Sequence, residues 1–173
     1  TFGVTVILEY NQLYRENLDL ERRVNRDPLT GAYNRNIFPR INPRLHDILI
    51  LIDVDNLKHY NDRFGHPKGD RLLVCLTETI STNLRQNDLV IRYGGDEFVI
   101  ILNSASEEDA DRIVQRIRRQ LTYAFTDEQA SFSYGIVRIE NSLLESFEKA
   151  DKRMYAMKNV KKIPLSGDQD RSS

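Results

Sequence analysis

The sequence predicts one α/β domain behind a helical arm, and three features predict it. "ILILI", Ile48–Ile52, is an unbroken β-branched and leucine run of the kind found in strands buried on both faces. "LVIRY" and "FVIIL", Leu89–Tyr93 and Phe98–Leu102, are two further apolar runs joined by a glycine-containing turn. Around them, apolar residues recur at helical spacing. The 173 residues are 40% hydrophobic and 29% charged, which allows a real core and excludes a disordered composition. A net charge of -1 supplies no field to draw in DNA or an anionic surface. Nucleic acid is therefore not an expected partner, and any phosphate ligand must be held by a local site.

In chain order, Val6, Tyr10, Leu13, Asn17, Leu20 and Val24 recur at spacings of four and three, an a/d seam that marks residues 1–26 as a helical arm. Two readings of the seam stand. It pairs with a second helix, where Asn17 favours a two-stranded, in-register arrangement, or it lies on its own domain as an amphipathic helix. Asp27-Pro28 ends the arm, because a residue before proline is pushed out of helical geometry. The domain proper is expected over residues 27–163.

The buried strand closes in Asp53-Val54-Asp55, and Leu72, Leu73, Leu76, Ile80 and Leu84 mark a helix over Asp70–Leu84. In the hairpin that follows, Gly94-Gly95 is expected in a type I′ turn, where both central residues take positive φ. Glu107–Ala124 reads as a helix, Ser131–Ile139 as a strand and Leu143–Lys158 as a helix. The polar stretch 164–173 has nothing to pack and is expected to be disordered. Cys75 sits in an apolar stretch with no second cysteine to pair with, which suggests a structural thiol in a reducing compartment. The chain starts at Thr1 and reads as a piece of something longer. Its apolar start, Phe2 to Leu8, is far short of the roughly 20 residues of a membrane helix, so a membrane link is expected only through an upstream segment.

Asp96 follows the hairpin turn and Asp53 closes the buried strand. If those strands are neighbours, two carboxylates converge at one end of a sheet. Such a pair suits Mg²⁺, which takes one or two carboxylates plus substrate phosphates and keeps several waters. Either acid alone reads as an ordinary solvated residue.

Three stretches together carry more: "DPLTGAYNR" from Asp27 to Arg35, "DVDNLKHYNDRFGHPKGD" from Asp53 to Asp70, and "RYGGDEF" from Arg92 to Phe98. In this order they resemble the GGDEF domain family of diguanylate cyclases. The resemblance implies a palm-like nucleotidyl cyclase fold of the α+β kind, with a central, mostly antiparallel sheet flanked by helices. It also implies a cytoplasmic domain, free or attached to an inner-membrane protein. The implied reaction condenses two GTP into cyclic di-GMP with release of two pyrophosphates. A homodimer with one GTP per subunit would carry it out with Mg²⁺ or Mn²⁺, at most two per site.

By position in these motifs, Asp53, the Val54 carbonyl and Asp96 correspond to the family's metal ligands. Asp96 also corresponds to the proton acceptor, with Glu97 beside it as a further catalytic acid on the opposite face of its strand. Lys58 and Lys158 match phosphate-contacting lysines. Four residues beyond Lys158, Lys162 stands where the family usually has arginine preceded by glycine; it offers charge without a bidentate fork. Gly94 and Gly95 would let the nucleotide lie close to the backbone.

Asn61, His66 and Asp70 align with base-recognition positions. An aspartate accepts from guanine N1–H and its exocyclic amine, whereas adenine would leave the same carboxylate unpaired. His66 reads equally well as a structural histidine in the Gly65–Gly69 turn. Leu57 replaces the family's usual aromatic residue and makes that pocket wall aliphatic.

"RQND", Arg85 to Asp88, stands at the spacing of the family's product-binding inhibitory site, and Arg116 on the following helix would assist it. The alternative is a surface ion pair between residues three apart. A member that binds GTP or cyclic di-GMP without turnover is the other class of function. The intact set Asp53, Lys58, Asn61, Asp70 and GGDEF favours the enzyme.

Overall fold

A computed structural model describes residues 2–125 and 130–162, so the tail expected at 164–173 lies outside the described residues. The run Ile48–Val54 forms β2, and each of its seven residues is buried. It lies inside a five-stranded sheet of order β1-β3-β4-β2-β5, in which β1 is Tyr33–Asn34, β3 is Leu89–Arg92, β4 is Glu97–Leu102 and β5 is Phe132–Arg138. Only the short β1 pairs in parallel, with β3; β2 is antiparallel to both β4 and β5. The sheet is thus mostly antiparallel.

Alternation along β2 explains the two layers. Ile48, Ile50 and Ile52 pack with helices α2 (Leu57–Phe64), α3 (His66–Asn83) and α4 (Glu107–Ala124). Leu49 and Leu51 pack on the other face with α5 (Leu143–Lys162) and the 3₁₀ turn Arg35–Arg40, through Ala150, Met154 and Phe38. Helix α5 approaches β5 so closely that a Cβ on Gly135 would overlap the Ala150 carbonyl. Helix α4 starts in a capping box, in which Ser106 and Asp109 satisfy each other's backbone N–H groups. Cys75 is half-buried and packs against the α2–α4 side of the core.

Several expectations need correction. The helix expected over Asp70–Leu84 begins at His66, with Pro67 in its first turn, where a missing N–H costs nothing. A separate α2 precedes it, and Gly65 breaks the two apart at φ 87°. Helix α5 runs four residues past Lys158 to Lys162.

The type I′ turn does not form. Neither Gly94 nor Gly95 takes positive φ, as Gly31 and Gly65 do. The connection from Arg92 to Glu97 is four residues, Tyr93 to Asp96, rather than two. Glu97 O closes it by accepting from both Tyr93 N (2.8 Å) and Gly94 N (3.2 Å).

The arm is α1, Phe2–Asn25. Its seam residues Val6, Tyr10, Leu13, Leu20 and Val24 are all exposed, Leu13 by 65%, so the arm does not lie on its own domain. Its C-terminal end is fastened to the domain, where the Asn34 and Asn36 side-chain amides donate to Val24 O at 2.8 and 3.2 Å. Arg26 stacks on the Tyr33 ring beside them, 3.6 Å from its centre. Among the described residues no helix is long and apolar enough to cross a membrane.

Candidate active site

Since β2 and β4 are neighbours, their acids do converge. Asp53 is paired in register with Glu97, and alternation along both strands sends these two side chains to the α5 face. Asp96 sits one residue before, and its carbonyl accepts from Val54 N at 3.0 Å, which fastens the hairpin tip to the rim of β2. Asp53, Val54, Asp96 and Glu97 therefore share one end of the sheet.

Their charges act on one another. Burial pushes the Asp53 carboxyl above its usual range, and the Asp96 and Asp55 charges add to this against the opposing pull of Lys158. Burial likewise raises Glu97, helped by Asp53, Asp96 and Asp151. From α5, Lys158 Nζ reaches Asp53 Oδ2 at 2.7 Å.

Among the described residues no group of three or more His, Cys, Asp or Glu side chains forms a ready cation cage. The donor set nevertheless fits a divalent ion of the Mg²⁺ kind. Hard carboxylate and carbonyl oxygens are grouped at Asp53, Val54 and Asp96, burial and neighbouring acids already disfavour the charge on Asp53, and such an ion needs only one or two carboxylates from protein.

The base-recognition candidates fall on α2 and α3. Asn61 on α2 packs against Gly69 of α3 so tightly that a Cβ on Gly69 would overlap Asn61 Oδ1. That oxygen is buried and accepts no hydrogen bond within the described residues. Asp70 follows Gly69 and is exposed, as are His66 at the start of α3 and Lys58 on α2. Gly94 is crowded: a Cβ there would stand 2.8 Å from Glu97 Oε2, while Gly95 faces open space.

The Arg85–Asp88 segment follows α3 as a turn, and among the described residues the ion pair that was the alternative reading is not formed between the two side chains. Asp88 Oδ2 accepts from Arg85 N at 2.8 Å and Oδ1 from Asn103 N at 3.0 Å, so the carboxylate is spent on the loop. The Arg85 and Arg116 side chains are both exposed.

The Lys162 side chain lies outside the described residues. Its neighbour Lys161, which sequence reasoning did not single out, reaches Asp55 Oδ2 at 2.5 Å. Burial alone would raise Asp55, but hydrogen bonds from Lys161, Ser133 and Ser131 outweigh it and hold the carboxyl below its usual range. Also missed was Arg92, which donates to Gly95 O at 2.8 Å and to Asp27 Oδ1 at 3.0 Å. Its only sequence signal was its place at the head of "RYGGDEF".

The family model for the diguanylate cyclase GGDEF domain matches residues 24–163. This chain belongs to the GGDEF family. Among relatives of this GGDEF chain, the probable diguanylate cyclase DgcJ of Escherichia coli K12 is 33% identical over 163 residues, covering 88% of this chain and 32% of DgcJ. The chain thus spans about a third of that relative's length.

Among solved structures, the diguanylate cyclase SiaD of Pseudomonas aeruginosa, in complex with its activator SiaC, is 28% identical. It superposes with a TM-score of 0.71 over 91% of this chain and 67% of SiaD. The coiled coil and GGDEF domain of DgcB from Caulobacter crescentus, in complex with c-di-GMP, superposes at 0.82 over 91% of this chain and 92% of that one. At 22% identity, DgcB shows the fold alone.

Proposed function

We propose that this GGDEF domain is a diguanylate cyclase, which joins two GTP molecules into cyclic di-GMP. The observation that carries the reading is the convergence of Asp53, Val54, Asp96 and Glu97 at one end of the sheet, beside the lysines of α5. In each half-reaction a 3′-oxygen bonds to the α-phosphorus of the other GTP, the bond from that phosphorus to the bridging oxygen breaks, and pyrophosphate leaves. The 3′-hydroxyl proton goes to a carboxylate.

Asp53, the Val54 carbonyl and Asp96 would hold Mg²⁺ or Mn²⁺, at most two. When bound, the cation neutralises triphosphate charge and makes the 3′-hydroxyl easier to deprotonate. Asp96 is the first candidate for proton acceptor. Glu97, whose carboxyl is raised, is the second, because a carboxylate with higher proton affinity is the better base near neutral pH. Lys58, Lys158 and Lys162 offset charge on the leaving pyrophosphate. Asn61 and Asp70, with His66, read the guanine edge, and Gly94 and Gly95 leave room for the nucleotide.

Each chain offers one such pocket, while the product has a two-fold axis. The active form is therefore a homodimer in which each copy presents its GTP to the other. The exposed seam of α1 supplies the pairing element. Arg85, with Arg116 beside it and Asp88 holding its turn, binds product away from the hairpin tip and inhibits. Use of GTP puts the domain on the cytoplasmic side of any membrane. A binding module without turnover is not favoured, because it would not need the full acid and lysine set.

The test is incubation with GTP and Mg²⁺ followed by chromatography. Cyclic di-GMP and pyrophosphate in a one-to-two ratio are expected. GTP left intact, or a product formed from a single nucleotide, sinks the reading.

A further inference from the structure

Two lysines one turn apart on α5 meet two aspartates at the end of β2. Lys158 pairs with Asp53 and Lys161 with Asp55, at 2.7 and 2.5 Å. The match is geometric. Side chains at i and i+2 of extended chain share a face about 6.6 Å apart, and those at i and i+3 of a helix share a face about 5–6 Å apart. A helix crossing the end of the strand can therefore meet both acids at once.

The two pairs are not equivalent. Asp53 belongs to the proposed cation site. Asp55 lies outside that set, and both its oxygens are taken: Oδ1 accepts from Ser133 Oγ at 2.7 Å, and Oδ2 from Ser131 Oγ at 2.7 Å as well as from Lys161. Lys161 Nζ also donates to Phe132 O at 2.7 Å, and Arg118 donates to the same carbonyl at 3.3 Å. One carboxylate thus joins the end of β2, the start of β5 and the last turn of α5. Lys161 cannot turn to a phosphate without breaking this network.

We propose that Lys161 is a positioning residue: by clamping the last turn of α5 to Asp55 and the Phe132 carbonyl, it holds Lys158 where its ammonium passes from Asp53 to the triphosphate of GTP. The proposal rests on the cyclase reading. Lys161 touches no substrate, and its effect runs through Lys158. The sequence carries a hint of it, since lysine stands here where the resemblance leads one to expect glycine.

The experiment measures binding of 3′-deoxy-GTP with Mg²⁺ by equilibrium dialysis, a probe that cannot react because it lacks the attacking hydroxyl. Lys161→Met should weaken binding by about tenfold, the size expected when one charge-assisted contact is lost, and Lys158→Met should do the same. The double variant should bind no more weakly than either single one, because one residue acts through the other. Lys161→Arg, whose guanidinium also reaches Asp55, should restore binding to within about twofold.

Multiplying losses in the double variant, or unchanged binding by a folded Lys161→Met, would overturn the proposal. If Lys161→Met does not fold, Asp55→Asn repeats the test, since it keeps the serine contacts and drops the ion pair. Failure of the parent chain to bind 3′-deoxy-GTP would instead overturn the cyclase reading beneath it.

Discussion

Arg92 links Asp27, just beyond the arm, to the Gly95 carbonyl at the hairpin tip: its guanidinium lies 3.0 Å from Asp27 Oδ1 and 2.8 Å from Gly95 O. Asp27 also accepts from Thr30 N and Thr30 Oγ1, so one carboxylate joins the "DPLTG" turn to "RYGGDEF". Burial works to raise the Asp27 carboxyl, but the bonds from Thr30 and Arg92 prevail and hold it below its ordinary value of 3.8. A carboxyl depressed in the folded state contributes stability that is present above its unfolded pKa and lost as pH falls through the folded one. Asp27→Asn should therefore lower the melting temperature at pH 7, by the equivalent of about 1–3 kcal/mol, with the deficit shrinking below pH 3.8. Thermal unfolding of both chains across that range checks it; a deficit independent of pH counts against the link.

Asp53 should behave in the opposite sense. Its carboxyl is raised in the fold by burial and by neighbouring acids, so its contribution is present below the ordinary value of 3.8 and is lost as pH rises through the folded one. At pH 7 without metal, Asp53→Asn should raise the melting temperature, by roughly 2–4 °C for about 1 kcal/mol of relief. Mg²⁺ should raise the melting temperature of the parent, and the same change should remove that gain and abolish cyclic di-GMP synthesis. A variant that melts lower, or that still turns over, contradicts the assignment.

Gly69 lies where a Cβ would displace Asn61 Oδ1. Gly69→Ala puts a better helix former into α3, so the fold should hold while Asn61 shifts. KM for GTP should rise on the order of tenfold, with kcat changing less. Steady-state kinetics decides the matter, and an unchanged KM would remove Asn61 from base recognition.

Arg85 and Asp88 should separate cleanly. Arg85→Ala should leave initial rates nearly unchanged and relieve inhibition as product accumulates, because its side chain is exposed and away from the hairpin tip. Asp88→Ala should also cost about 1–2 kcal/mol of stability, since its carboxylate accepts from Arg85 N and Asn103 N. Progress curves together with melting temperatures distinguish them. Equal feedback in Arg85→Ala and parent argues that no product site exists there.

Leu13→Glu with Leu20→Glu should lower specific activity in dilute protein and let it recover as concentration rises. Paired arms act by raising the effective concentration of a second domain. A rate per enzyme independent of concentration in both chains, with both monomeric by sedimentation, would rule out the two-copy mechanism.

Period and motif were legible in the sequence because they are local. The run Ile48–Ile52 read as a buried strand and is one, Glu107–Ala124 formed the helix its spacing predicts, and three motifs in order carried the family. What lay beyond reach was set by residues far apart in the chain. Gly94-Gly95 read as a two-residue turn, yet Arg92, held by Asp27 from 65 positions away, and the shared Glu97 carbonyl shape a four-residue connection without positive φ. Asp88 read as a guanine contact or as an ion-pair partner of Arg85, yet its two oxygens accept from the Arg85 and Asn103 backbones. Lys161 looked like one more lysine near a chain end. Only the crossing of α5 over the end of β2 brings it to Asp55, 106 positions earlier, because helix and strand spacings match there.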